Sequence, residues 1–291
     1  MKIFVWILLF LLVINVIAAL ITVFRKPRSI SSVLAWMMTL IFLPGIGFII
    51  YLFCGRGIDG QEVFKLSDDE KQMVQRIKEK VDVDNKKAGR DKRYDLLYDA
   101  KVLNRYFRNM DASPLAKRNS LQLFTDGQEK FQALFEDIRA AKETVHVEYY
   151  AFFNDTIGNQ FLDVLIEKLH EGVEVYLIYD PWGSPGANKK FFARYVDAGG
   201  KVAPFITSRD MIRKTRLNYH LHRKIVVIDG KIGWTGGVNV GDQYLNVTEK
   251  FGYWRDTHIR LVGTAVFSLQ EIFIMDWNAS VKYPEERMTY H

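Results

Sequence analysis

Residues 218–246 read NYHLHRKIVVIDGKIGWTGGVNVGDQYLN. His222-Arg223-Lys224 opens an apolar run that closes on Asp229-Gly230, a dipeptide suited to the two-residue turn of a β-hairpin. A return strand follows, and Gly236-Gly237-Val238-Asn239 comes directly after it. Side chains alternate along a strand, so His222 and Lys224 share one face and Arg223 points to the other. The paired glycines allow a tight turn that brings the Asn239 amide beside the same pocket.

This set suits a phosphodiester. Imidazole attacks phosphorus and forms a covalent intermediate, dividing one difficult displacement into two easier ones. Lys224 neutralises the phosphate as a point charge, and Asn239 donates hydrogen bonds to non-bridging oxygens. Arg209, Arg213, Lys214 and Arg216 make a basic approach to His222, relieved only by Asp210. Such a cluster fits an anionic headgroup near a membrane surface.

Upstream, strand and helix patterns alternate. Short strands are expected over 121–124, 144–153, 174–179 and 201–205. Helices are expected over 128–142, 157–171 and 189–198, the first placing Phe131, Leu134, Phe135 and Ile138 on one side. The alternation predicts an α/β domain over 118–291, with helices packed on a largely parallel or mixed sheet. Residues 57–117 read as a polar helical connector. Ser67-Asp68-Asp69-Glu70 looks like a helix start, and a second helix is expected over 95–110.

The N-terminus differs in kind. Residues 3–24 and 33–53 are apolar stretches of 22 and 21 residues, the first free of charge and the second interrupted by Pro44, Gly45 and Gly47. At 1.5 Å per helical residue, either is long enough for a hydrocarbon core of ~30 Å. With Arg25-Lys26-Pro27-Arg28-Ser29 between them, they predict a two-helix transmembrane hairpin over 1–56. This is favoured over a signal peptide, whose apolar region would be shorter. Its cations leave the orientation open, because Arg56, Lys65 and Lys71 follow the second stretch closely.

Charge placement weakens a nucleic-acid reading. The net charge is +6, but residues 1–56 hold five basic residues and no acid, so the remaining 35 cations meet 34 anions. The lone Cys54 excludes an internal disulfide and a cysteine-built zinc site. His220-x-His222 has no further clustered ligands, so no metal or other cofactor is expected. His146, His170, His258 and His291 read as structural or surface residues, and Tyr149 and Tyr150 as core. Glu148 either lines the pocket or is a buried carboxylate satisfied by backbone donors. Gly183-Ser184 reads equally as a loop or a substrate contact.

His222-x-Lys224-x4-Asp229-x6-Gly236-Gly237-x-Asn239 is similar to the HKD signature of the phospholipase D superfamily. The longer segments resemble bacterial cardiolipin synthases in particular: LAWMMTLIFLPGIGFIIYLFCGR, LFTDGQEKFQALFEDIRAAKETVHVEYYAF, YDPWGS, HRKIVVIDGKIGWTGGVNVGDQYL and WRDTHIRLVGTAV. The likeness runs from residue 1 to about residue 280.

That resemblance implies a phosphatidyltransferase with His222, Lys224 and Asp229 as its motif residues and Gly237, Asn239 and Arg216 around the substrate. His222 would attack one phosphatidylglycerol, release glycerol and pass the phosphatidyl group to a second, giving cardiolipin without metal or nucleotide. Asp256 falls where relatives place a carboxylate that orients the histidine, while Asp229 reads better as a turn residue. The implied location is a bacterial plasma membrane, multi-pass, with phosphatidylglycerol and other anionic phospholipids as partners and no nucleic acid.

Two departures stand out. Relatives have two HKD motifs and this chain has one, so a second half is expected from a partner copy or a further segment. His220-Leu221 stands where relatives have Arg-x. The alternatives are a homodimeric single-HKD phosphodiesterase or nuclease, and an inactive lipid-binding fragment.

Overall fold

The computed structural model describes residues 29–43, 45–55, 68–88, 116–205, 220–247 and 252–288, with isolated positions in 6–21 and 102–106. The chain divides into two compact units, the larger formed by 63–206 with 220–291. Its seven strands are β1 (Ser120–Phe124), β2 (Thr144–Tyr149), β3 (Glu174–Tyr179), β4 (Lys201–Pro204), β5 (Lys224–Ile228), β6 (Ile232–Gly236) and β7 (His258–Val262). They form one sheet in the order β1-β7-β6-β5-β2-β3-β4. β2, β3 and β4 run parallel, while β5, β6, β7 and β1 join antiparallel, so the sheet is mixed.

In the N-terminal unit, α1 (Ile30–Phe42) is capped by Ser29, whose Oγ accepts from the Ser32 N–H. The apolar stretch 33–53 is not one continuous helix. It breaks around Leu43–Gly45, resumes as α2 (Ile46–Ile50) and ends in a π-turn, Tyr51–Gly55. Gly47 lies so close to the end of α1 that a Cβ there would stand 2.5 Å from the Thr39 carbonyl oxygen. Trp36 packs edge-on to Tyr51 at 5.1 Å. Among the described residues no helix is long and apolar enough to cross a membrane. Most of residues 3–24, and most of the helix expected over 95–110, lie outside the described residues. The expected connector helix is present as α3 (Asp68–Ala88), which belongs to the larger unit.

In the larger unit, α4 (Gly127–Arg139), α5 (Thr156–His170) and α6 (Lys189–Asp197) each start at a side-chain cap: Asp126, Asp155 and Asn188 accept from N–H groups of the first turn. Phe131, Leu134, Phe161 and Leu165 from α4 and α5 cover Val145, Val147, Tyr149, Val226 and Trp234 on one face of the sheet. The opposite face is closed by α7 (Val266–Ser280), whose Val266 packs with Ile225, Val227 and Leu261. This last helix was not anticipated from sequence, although Val266, Leu269, Phe273 and Trp277 recur at helical spacing.

Asp137 ties α4 to the sheet. Its Oδ2 accepts from Trp234 Nε1 at 2.8 Å and Arg260 Nε at 2.6 Å, and its Oδ1 accepts from Arg260 at 2.9 Å. The bidentate pair lifts the Arg260 pKa, chiefly through its hydrogen bonds. Asp137→Ala leaves an indole N–H and a guanidinium without their acceptor. Urea unfolding should report a loss of about 2–3 kcal/mol.

Candidate active site

The site gathers at the end of the sheet where β2 and β3 finish and β5 begins. Tyr149 pairs with Lys224, and one residue on, the Tyr150 N–H donates to the Arg223 carbonyl at 3.1 Å. His222 therefore sits just ahead of β5 rather than within it, a correction of two residues to the expected strand start. Its ring is exposed and stacks on Tyr150, centroids 4.3 Å apart and planes at 19°. The Lys224 ammonium lies 5.5 Å from the same ring and donates to the His222 carbonyl at 2.8 Å. Nucleophile candidate and cation thus converge on one aromatic surface. Burial lowers the Lys224 pKa, and the Asp256 carboxylate pushes it back up.

Behind Tyr150, the turn after β3 acts as a buttress. Buried Asp180 accepts from the N–H groups of Leu221 (2.8 Å), Trp182 (2.8 Å) and Gly183 (3.3 Å), so one carboxylate fixes both this turn and the segment entering His222. His220 Nδ1 stands 3.7 Å from Asp180 Oδ2. Ser184 Oγ donates to the Tyr150 carbonyl at 3.1 Å and accepts from the Phe152 N–H at 2.9 Å. A Cβ on Gly183 would approach the Tyr150 oxygen to 2.4 Å, which ties this position to glycine. Tyr150 and Asp180 are the parts sequence reasoning passed over, whereas Ser184 was open to either a loop or a substrate-contact reading. Tyr150 was read as core, and the only signal for Asp180 was its place in a turn that starts at a strand end.

Asn239 lies on the other flank. Its Oδ1 accepts from the Ala151 N–H at 3.1 Å, and one of its two Nδ2 protons goes to Tyr244 Oη at 3.0 Å. Ala151 is the neighbour of Tyr150, so Asn239 borders the same corner, with its carbonyl oxygen holding the backbone.

Gly237 donates its N–H to the Thr257 carbonyl at 2.8 Å. A Cβ there would come within 1.9 Å of Asp256 Oδ1, so the absent side chain is what admits the carboxylate. Asp256 Oδ1 also accepts from the Thr257 N–H at 2.7 Å. Among the described residues, the His222 ring makes no hydrogen bond to Asp256. Arg216 lies outside the described residues, as do Arg209, Arg213 and Lys214.

Asp229, expected as a motif residue and as a turn residue, stands apart from these groups. It occupies the far end of β5 in a left-handed conformation (φ 50°), followed by Gly230 (φ 62°), the pair of positive φ values that a type I′ turn requires. Its carboxylate accepts from the N–H groups of Lys142, Glu143 and Thr144 at 2.9, 2.8 and 2.9 Å. Burial opposes ionisation, but these donors and Lys231 outweigh it and lower the pKa. Asp229 is a structural tie between the hairpin and the start of β2.

Beneath the site lies a buried polar group. Lys130 Nζ donates to Tyr149 Oη at 2.8 Å, and burial holds the Lys130 pKa well below its ordinary value. His258, also buried, is pushed down to about 2 by burial and by the cations of Lys130 and Lys224. Among the described residues no group of three or more His, Cys, Asp or Glu side chains could hold a metal.

Residues 134–263 match the family model for the cardiolipin synthase PLD-like domain, and residues 13–56 match that for the phospholipase D-nuclease N-terminal region. Cardiolipin synthase of Listeria monocytogenes is 41% identical over 286 residues. The chain is a relative of the bacterial cardiolipin synthases. The match covers 94% of this chain and 57% of the Listeria protein, so the chain spans little more than half the length of that relative. The major cardiolipin synthase of Bacillus subtilis is likewise 41% identical, with 91% of this chain and 55% of that protein covered. Among solved structures, NucT from Helicobacter pylori is 18% identical with a TM-score of 0.44, covering 57% of this chain and 100% of that one. Against this background of cardiolipin synthase relatives, the mixed sheet flanked by helices is the architecture of the PLD-like domain.

Two variants test these placements. Gly237→Ala should displace Asp256 and lower phosphate affinity at the site several-fold, measured by calorimetric titration, while thermal stability changes little. Asp229→Ala should cost about 1–3 kcal/mol at neutral pH. Because the folded pKa of Asp229 is depressed, its contribution is present above the unfolded value of 3.8 and fades as pH falls through the folded value. Urea titrations of variant and unaltered protein should therefore converge toward acid pH.

Proposed function

We propose that this chain carries the first half of a phosphatidyltransferase that joins two phosphatidylglycerol molecules into cardiolipin and glycerol. The observation that carries the reading is the convergence of the His222 imidazole and the Lys224 ammonium on Tyr150, within a domain whose relatives are named cardiolipin synthases.

In the first step a ring nitrogen of His222 forms a bond to phosphorus and the bond to the glycerol oxygen breaks. The leaving oxygen takes a proton from a general acid. Lys224 meets the charge that gathers on the non-bridging oxygens, and the free Nδ2 proton of Asn239 adds a neutral donor. In the second step a hydroxyl of another phosphatidylglycerol gives its proton back to the same general acid, now a general base, its oxygen bonds to phosphorus and the bond from phosphorus to His222 breaks. Asp256, beside Gly237 and close enough to Lys224 to raise its pKa, is the carboxylate that orients His222. Arg216 belongs to the basic approach that meets the anionic headgroup.

The general acid comes from a second HKD half, supplied by a partner copy or by a further segment. A 1–56 hairpin anchors the chain in a bacterial plasma membrane as a multi-pass protein, a 57–117 connector follows, and 118–291 forms the catalytic half-domain. Phosphatidylglycerol and other anionic phospholipids are the partners, with no nucleic acid among them.

Lipid extraction after incubation with radiolabelled phosphatidylglycerol tests the reading. The chain, complemented with a second HKD half, should form cardiolipin. His222→Ala should abolish it, and Lys224→Met should slow it about a hundredfold or more, as expected for a group that stabilises transition-state charge. DNA cleavage without a lipid product would replace this reading with that of a single-HKD nuclease.

A further inference from the structure

The face of the sheet opposite Lys224 holds charged groups that the reaction above does not use. Glu148, on β2, is 0% exposed, and so is Asp276, on α7. Apart from an ion pair of 3.0 Å between Arg223 and Asp276 Oδ2, neither carboxylate meets a donor among the described residues. Two adjacent carboxylates beyond the reach of water cannot both be ionised. One cation stands nearby, so the neutral state of the group holds one proton on the acid pair and one positive charge on Arg223. That proton supplies the hydrogen bond that two ionised carboxylates could not make. Burial raises both carboxyls; Asp276 pushes Glu148 further up, while Arg223 draws both down and the hydrogen bond from Glu148 draws Asp276 down.

The position of Arg223 gives this group its meaning. It is the residue between His222 and Lys224, and strand alternation sends its side chain through to the α7 face. Its carbonyl is held in front by the Tyr150 N–H at 3.1 Å, and its guanidinium is held behind by Asp276 at 3.0 Å. A shift of that one residue moves the imidazole and the ammonium together.

We propose that Glu148, Asp276 and Arg223 form a positioning clamp behind the sheet that sets where His222 and Lys224 stand against Tyr150. These are positioning residues, since none touches the reacting atoms. The clamp rests on the phosphate-site reading for its purpose, but its geometry can be tested without turnover. Other titratable groups on this face are His146 on β2, which stacks on Phe273 of α7 at 4.7 Å, and Tyr176 on β3, which is bonded to Glu174 and Lys201. Glu271 lies further up α7 with Lys78 of α3 as its charge neighbour.

The test uses the full chain with ring-labelled histidine, the His222 signal being assigned by its disappearance in His222→Asn. Stacking at 4.3 Å on Tyr150 should place that signal upfield, and Tyr150→Leu should abolish the displacement. Asp276→Asn and Arg223→Met should also abolish it, because each breaks the rear hold. Glu148→Gln should keep it, since the amide preserves the shape and the donor of the protonated acid. An upfield signal surviving in either rear-hold variant overturns the clamp, as does its loss in Glu148→Gln. If Asp276→Asn fails to fold, Arg223→Met decides, because it leaves two protonated acids and no buried charge.

A second readout separates the clamp from a packing role. A carboxyl raised on folding binds more protons in the native state, so stability falls as pH rises from the unfolded value through the folded one. Melting midpoints of the unaltered protein should therefore drop between pH 5 and pH 8 more steeply than those of Glu148→Gln, by roughly several degrees, the shift expected for a kcal-scale change. Equal slopes would show an ionised Glu148 and overturn the proposal. Absence of phosphatidyl transfer in the unaltered chain complemented with a second HKD half would sink the function proposed above and leave both measurements decisive for the clamp.

Discussion

The pairing of β2 with β5 is the constraint from which the rest of the site follows. In this register Tyr149 lies opposite Lys224, and the next backbone hydrogen bond runs from Tyr150 to Arg223. That bond puts an aromatic ring beside the residue ahead of the strand, which is His222. A slip of one residue would turn Lys224 and Arg223 to opposite faces, leaving an ammonium among the acids and a guanidinium against Tyr149. The hydrophobic cores on both sides guard the register, because Val226 and Ile228 belong to one and Ile225 and Val227 to the other.

β2 also marks the change from parallel to antiparallel pairing. On one side β3 and β4 run with it, and on the other β5 returns against it. The C-terminal ends of β2, β3 and β6 thus share a rim with the starts of β5 and β7. Each contributes something to that corner: Tyr150 after β2, Asp180 after β3, Gly237 after β6, His222 before β5 and Asp256 before β7. Loops leaving one rim of a sheet in this way can converge on a ligand while the strands beneath stay packed.

Much of this was legible in the sequence, and the reasons differ by element. The hairpin of β5 and β6 could be read because Asp229-Gly230 sits between two apolar runs and few dipeptides accept two positive φ values. Strand periodicity groups His222 with Lys224, but His222 stands two residues ahead of β5, and it is Tyr150 that both approach. Tyr150 was misread because an aromatic next to a buried strand is usually core, and only the end of β2, one residue earlier, turns it into a platform. The close approach of Asp256 to Gly237 depends on a pairing between Gly236 and His258 that no local pattern encodes. The stretch 33–53 has the length and hydropathy of a single helix, yet it divides into α1, capped at Leu43, and α2, which starts from Gly45 at φ 83°, a conformation open to glycine.

The long loops closed by the sheet set the order in which such a chain can assemble. Phe124 on β1 pairs with His258 on β7, and Tyr149 on β2 pairs with Lys224 on β5, so both junctions await residues made much later. Contacts of this separation form slowly, because the entropy of closing the loop is lost before the contact returns anything. The parallel trio β2, β3 and β4 can collapse with its helices while the ribosome is still at work. The imidazole gains its stacking partner only after β5 has docked, and Asp256 comes to lie beside Gly237 only after β7. The corner that gathers Tyr150, His222, Gly237 and Asp256 is therefore complete only once the last strand is in place.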